Sequence, residues 1–144
     1  MKDTLDYLKV PFPVEACVRY HVIINRSPVE VWGYVGQADR LPEWFPGITD
    51  AVVDRDKRTI TTGAGMSLNE LIVTDDPIMM RFEYSLNMPL INSHKSTIDV
   101  FPIDKDTCLV SYQAVADPAT LALVIAGAGA NAIQHLKNLL EGTQ

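Results

Sequence analysis

The distribution of apolar and polar positions divides the chain into a series of strands followed by one long helix. Apolar and polar side chains alternate over residues 14–24, which is typical of a strand with one buried face. After Gly47 the pattern predicts strand after strand, separated by short turns rich in Asp, Gly, Pro and Lys. The predicted strands are 14–24, 48–53, 58–62, 67–74, 78–86, 93–103 and 107–116.

Two short helices are predicted after the first strand. Ser27, Pro28 and Glu30 have the spacing of a capping box, with Ser27 at the N-cap and Pro28 at the first helical position. This pattern predicts a helix over residues 28–36. A second helical segment over residues 38–44 ends in an aromatic-Pro-Gly turn.

The C-terminal segment 117–142 has the period of an amphipathic helix with an unusual centre. Its inner stripe carries the large residues Ile125, Ile133 and Leu136, but Gly and Ala fill the middle. These small residues leave space beneath the helix if the large ones act as spacers, and this explanation predicts a cavity roofed by Gly129. They could instead let the helix lie close to the layer below, which would eliminate the cavity.

Together these elements predict an α+β fold, in which a seven-stranded antiparallel curved sheet wraps around the long C-terminal helix. Each strand has one polar face, so only one side of the sheet is buried. The C-terminal helix is the one predicted element long enough to cover that side. The 144 residues suit a single domain, with residues 1–13 as an N-terminal arm.

Charge and composition exclude several classes of function. The net charge of −6 and the scattered Lys and Arg residues exclude a general nucleic-acid binder, which needs a basic face. The longest apolar run, 121–130, is too short to span a bilayer, and no secretory signal is visible, so we expect a cytoplasmic protein without a transmembrane segment. Cys17 and Cys108 do not form a disulfide framework, and no short-spaced His or Cys pair predicts a metal or another cofactor.

Several stretches carry a family resemblance: residues 22–32 running into 41–47, residues 71–77 with the strand ending at Tyr84, and residues 136–141. They resemble the START/Bet v 1-like, helix-grip superfamily that includes polyketide cyclase/dehydrase-type proteins. Residues 94–100 and 110–112 are similar to the branch that contains the plant abscisic-acid receptors. The resemblance implies a cavity between sheet and helix that holds a small, largely apolar ligand. A shared fold does not fix the activity.

Strand alternation, applied to the cavity that the resemblance implies, predicts which side chains line it. The expected lining residues from the sheet and its closed end are Trp44, Phe45, Asn69, Leu71, Phe82, Tyr84, His94, Ser96, Ile98 and Tyr112, and the helix adds Ile125, Gly129 and Ile133. The facing of Asn69 depends on the register of its strand, because a slip of one residue would bring Glu70 inside instead.

Two functions fit such a cavity, and the sequence leaves both open. One is a binding protein for an apolar, ring-containing small molecule, and the other is an enzyme of the polyketide cyclase/dehydrase type. In the enzyme, His94 with Tyr84 or Tyr112 would move a proton by general acid–base catalysis. A histidine on a strand is more often a hydrogen-bonded structural residue than a catalytic base, and the two tyrosines are equally well explained as core aromatics. The scarcity of titratable groups favours binding, and a lipid or quinone carrier is a third alternative.

The outer face of the last helix has one feature that the cavity does not explain. Leu123 and Val124 lie there, where solvent would favour charged residues. Exposed apolar residues predict a partner surface, so we expect a homodimer or a closing loop such as residues 87–92 to cover them.

Overall fold

The computed structural model describes residues 15–142, and the predicted N-terminal arm lies outside them. Within this range the chain forms seven strands and three α-helices, with a single 3-10 turn before the second helix. In chain order they are β1 (Ala16–Ile24), α1 (Pro28–Val35), the 3-10 turn (Ala38–Arg40), α2 (Leu41–Trp44), β2 (Ile48–Asp54), β3 (Lys57–Thr62), β4 (Ser67–Asp76), β5 (Arg81–Asn87), β6 (Ser93–Asp104), β7 (Thr107–Asp117) and α3 (Ala119–Glu141).

The strands form one antiparallel sheet in the order β1-β7-β6-β5-β4-β3-β2. Strands β2 to β7 are successive hairpins, and β1 closes the other edge by pairing with β7, so that Tyr20 lies opposite Tyr112. Helix α3 packs on β1 and β7, and α1 and α2 cover the opposite end of the same face. This arrangement confirms the predicted helix-grip α+β fold.

Helix α1 begins where the capping pattern predicts. The Ser27 side chain accepts a hydrogen bond from the Glu30 backbone N–H at 3.2 Å, which satisfies one of the free N–H groups of the first turn. The Arg40 guanidinium then donates to the Gly33 carbonyl at 2.9 Å and to both carboxylate oxygens of Glu43. These bonds hold the 3-10 turn and α2 against α1.

The prediction that Asn69 and Leu71 of β4 face the cavity is wrong. Glu70 is only 6% exposed, whereas Leu71 is 44% exposed and Asn69 lies on the outer face. The β3–β4 register explains this, because it pairs Arg58 with Glu70, and both of these side chains are buried. A charged residue faces inward here because the neighbouring strand supplies a charge of opposite sign.

The centre of α3 lies close to the sheet. A Cβ added to Gly129 would meet three ring carbons of Tyr112 at less than 3.0 Å, a distance that real Cβ atoms essentially never show. Gly129 therefore packs on Tyr112 instead of forming the roof of a cavity. By length and composition α3 could cross a membrane, but its buried stripe packs against β1 and β7 in the manner of a core helix.

Candidate ligand pocket between sheet and helix

An apolar pocket of about 160 Å³ lies under the first half of α3. An apolar cavity of ~150 Å³ in another protein is large enough to bind benzene, so this pocket has room for about one small ring. Three larger depressions, of about 400 to 660 Å³, have walls that are about half polar. The pocket under α3 differs from them because its walls are almost entirely apolar. They are formed by Leu41, Phe45, Ile48, Ile60, Leu68, Glu70, Tyr84, Leu86, His94, Tyr112, Val124, Ile125 and Ala128.

Five of the predicted lining residues lie on this wall, namely Phe45, Tyr84, His94, Tyr112 and Ile125. A second group is buried in the core behind or beside it: Trp44, Phe82, Ser96, Ile98 and Ile133. Asn69 and Leu71 face outward, and Gly129 contacts Tyr112.

The wall also contains residues that the prediction missed. Leu68 and Glu70 follow directly from the observed β4 register. Ile48 and Ile60 lie on neighbouring strands, and their alternation could have placed them on the inner face. The helical pattern places Val124 on the outer face, yet Val124 is both exposed and in contact with the pocket. The pocket therefore reaches the surface beside it.

His94 lies where strands β5 and β6 separate from each other. The β5–β6 ladder stops at Tyr84 opposite Ser96, although both strands continue. Beyond that point the Leu86 backbone N–H donates to His94 Nδ1 at 2.8 Å, so the imidazole supplies the acceptor that β6 does not. Because Nδ1 accepts, the proton of the neutral ring is on Nε2, which donates to Ser96 Oγ at 2.8 Å.

This geometry makes His94 a poor general base. Burial lowers the pKa of His94 to about 4, so the ring is neutral near pH 7. Its one lone pair is already used by the Leu86 N–H. Accepting a proton would therefore place two donors face to face, and the structural explanation for His94 is the better supported one.

The two tyrosines form a hydrogen-bonded cluster with Ser96. The Tyr112 hydroxyl donates to Ser96 Oγ at 3.1 Å, and the hydroxyls of Tyr84 and Tyr112 are directly hydrogen-bonded. Because Tyr112 has only one proton, Tyr84 is the donor in the second bond. Burial raises the pKa of both tyrosines, so both hydroxyls keep their protons at neutral pH.

A buried ion pair, which the sequence reasoning did not find, completes the polar part of the site. Arg58 Nε donates to Glu70 Oε2 at 2.5 Å, and Arg58 Nη1 donates to the Ala38 carbonyl at 3.2 Å. The guanidinium lies 4.9 Å from the Tyr84 ring centre and 5.3 Å from that of Phe82. Burial raises the pKa of Glu70, and the charge of Arg58 opposes that rise.

The ion pair leaves one donor of Arg58 unused. Arg58 Nη2 is buried and has no hydrogen-bond partner within residues 15–142. Of the described side chains, the indole Nε1 of Trp44 is the other buried polar atom in this condition. Both atoms are hydrogen-bond donors, so each could still donate to an acceptor. As for metals, the described part of the chain contains no group of three or more His, Cys, Asp or Glu side chains that could hold an ion.

The sequence of residues 15–141 matches the model of a protein family described as "Polyketide cyclase / dehydrase and lipid transport". The chain belongs to this family. Membership in the polyketide cyclase/dehydrase and lipid transport family confirms the resemblance to the START/Bet v 1-like superfamily, and it supports a ligand-binding helix-grip domain. A comparison with curated proteins finds no match.

Several solved structures have the same fold as this chain. The protein XoxI from Bacillus cereus has 22% identity and a TM-score of 0.79, with 86% of this chain and 94% of that chain covered. Norcoclaurine synthase from Thalictrum flavum, in complex with dopamine and hydroxybenzaldehyde, has 15% identity and a TM-score of 0.70, with coverages of 90% and 88%. A START superfamily protein from Mycobacterium smegmatis has 15% identity and a TM-score of 0.63, with coverages of 88% and 94%. At these identities the likeness concerns the fold alone.

Proposed function

We propose that the protein binds a small, largely apolar, ring-containing molecule in the pocket under α3. The observation that carries this proposal is the composition of the pocket wall, which is almost entirely apolar around a few buried polar groups. Ligand pockets are commonly built in this way, with a few polar groups fixing the orientation of the ligand. The norcoclaurine synthase structure, on the same fold, holds dopamine and hydroxybenzaldehyde, which are single-ring molecules.

A cyclase/dehydrase-type enzyme using the same pocket is the second candidate, and family membership favours it. The roles of His94, Tyr84 and Tyr112 as proton-transfer groups remain predictions, and the engaged lone pair of His94 weakens its part in them. A lipid or quinone carrier is less well supported, because an acyl or isoprenoid chain needs far more room than about 160 Å³.

Native mass spectrometry of the purified protein tests the proposal, because a bound small molecule adds a discrete mass to the intact chain. A thermal-shift screen against single-ring compounds provides the independent measurement. We expect a co-purified molecule or a stabilising ring compound. An empty protein that no ring compound stabilises would contradict the proposal.

The variant His94→Phe separates the two candidates once a ligand is known. If the protein is an enzyme that uses His94, turnover is lost while binding is retained. If it is a binding protein, the variant binds without a change in any chemistry, provided that near-UV circular dichroism shows a native core.

We further propose a cytoplasmic homodimer that uses the outer face of α3. Leu123 is 60% exposed and Val124 is 69% exposed, and they lie side by side on that face. Sedimentation velocity should show a concentration-dependent dimer that Leu123→Lys disrupts. A clean monomer at high concentration would contradict this proposal.

A further inference from the structure

One carboxylate is present on the wall of the apolar pocket, and it belongs to Glu70. Its Oε2 accepts from Arg58 Nε at 2.5 Å, whereas Oε1 has no hydrogen-bond partner in the part of the chain that the structure describes. Glu70 is only 6% exposed, and it also lines the largest of the half-polar depressions together with Arg58. Oε1 is not one of the fully enclosed polar atoms without a partner, so it borders open space. A carboxylate oxygen to which no protein group donates is a strong acceptor for a donor that reaches it.

The other polar groups of the wall have no donor hydrogen left for a ligand. Both ring nitrogens of His94 are in hydrogen bonds, to the Leu86 N–H and to Ser96. The protons of Tyr84 and Tyr112 are used inside their own cluster. These residues therefore present mainly ring carbon to the pocket, and Glu70 supplies its charged acceptor.

Arg58 explains why Glu70 keeps this orientation. The guanidinium is 2% exposed, holds Oε2 through Nε and is itself anchored to the Ala38 carbonyl. Its Nη2 is left without a partner, so the two side chains do not form the two parallel bonds that would close the pair. One acceptor and one donor thus remain free next to each other.

We propose that Glu70 Oε1 is the hydrogen-bond acceptor of this pocket and that it selects ring ligands carrying a donor substituent, such as a phenolic hydroxyl. Arg58 is the positioning residue that holds the carboxylate in place. This inference rests on the proposed function, because it requires that the pocket under α3 binds a ring.

The test compares phenol with toluene, two single rings of nearly equal size that differ in having a donor. Their dissociation constants are measured by isothermal titration calorimetry or ligand-observed NMR. A hydrogen bond to a charged group predicts that the wild-type protein binds phenol about tenfold more tightly than toluene. The double variant Arg58→Met/Glu70→Leu should reduce this ratio to one or below while toluene affinity is retained, because the phenol hydroxyl would then be buried without a partner.

The double variant is used because removing one member of the pair would leave a buried unpaired charge and could unfold the protein. Glu83→Gln is the matched control, since Glu83 is also a buried carboxylate but lies on the outer face, where it accepts from Thr97 and Thr74. The phenol-to-toluene ratio of this control should equal that of the wild type.

Three results would overturn the inference. If the wild type binds toluene and phenol equally, Glu70 does not select a donor, although the proposed function survives. If the double variant keeps the preference for phenol, another group is the acceptor. If the wild type binds neither ring, the proposed function fails, and this inference fails with it.

Discussion

The contact between Gly129 and Tyr112 makes a sharp prediction about the variant Gly129→Ala. The added methyl group would lie 2.2 Å from two carbons of the Tyr112 ring. The helix or the ring must therefore shift by roughly 1 Å to restore an ordinary carbon–carbon contact. Tyr112 cannot easily yield, because it is fully buried, its hydroxyl is bonded to Ser96, and its ring packs edge-on against Phe45 with 6.4 Å between centroids. We therefore expect α3 to move away from the sheet.

The expected magnitude follows from two opposing effects. Overpacking a core by a methyl group costs ~1–3 kcal/mol of the free energy of unfolding, whereas replacing Gly by Ala inside a helix stabilises it by ~1 kcal/mol. Gly127→Ala is the matched control, since Gly127 lies on the same helix and its Cβ would meet nothing within 4 Å. The difference between the two variants isolates the overpacking cost of ~1–3 kcal/mol.

Urea denaturation and thermal unfolding, both followed by far-UV circular dichroism, measure the two variants. Gly127→Ala should be more stable than the wild type, and Gly129→Ala less stable than Gly127→Ala by the stated amount, with a melting temperature lower by roughly 3–10 °C. If the two variants are equally stable, α3 does not rest on Tyr112, and the space beneath it is larger than about 160 Å³.

Three further predictions concern other contacts. The pKa of His94 is lowered to about 4, below its ordinary 6.5, so the unfolded chain binds a proton first as the pH falls. The free energy of unfolding should thus fall by up to about 3 kcal/mol between pH 6.5 and 4. Urea titrations at several pH values should show that His94→Gln lacks this part of the pH dependence. Arg58→Ala should lower the free energy of unfolding by ~3–5 kcal/mol, because it leaves the Glu70 charge buried and unpaired. The double variant Arg58→Met/Glu70→Leu should recover most of that loss. If chemical denaturation shows the same loss of stability for both variants, Arg58 and Glu70 do not form a buried pair. Ser27→Ala should cost ~1 kcal/mol through loss of the α1 cap, and no change in melting temperature would contradict the cap.

The fold could be predicted because its determinants are local. The two-residue alternation of the strands, the capping box at Ser27 and the long C-terminal helix are each visible in a short window of sequence, and they agree with one another. The antiparallel order follows because short turns join neighbouring strands.

The facing of β4 could not be predicted in the same way. Leu68 and Ile72 alternate with Leu71 and Val73, so both faces of the strand carry apolar residues, and Glu70 is expected to face solvent. Its partner Arg58 is the last residue of the mixed-charge cluster 54–58, a pattern that is typical of a solvent-exposed turn. The pairing of β3 with β4 is what brings the two charges together, and it depends on tertiary structure.

The prediction that Gly129 roofs the cavity is wrong for a related reason. Small residues in a helix allow either a cavity or a close approach, and the outcome depends on the side chain below. Tyr112 lies directly beneath Gly129 and fills that position, so the free space is found further along, beside Ile125 and Ala128.

The central claim, that the pocket under α3 binds a ring, is tested most directly by NMR of isoleucine methyl groups during a toluene titration. The ring current of a bound aromatic ligand shifts methyl groups that contact it. Ile48, Ile60 and Ile125 lie on the pocket wall, whereas Ile23 and Ile103 are exposed elsewhere and serve as internal controls. We predict saturable shifts of the three wall methyl groups alone. Shifts confined to the exposed methyl groups, or no shift at any of them, would contradict this claim.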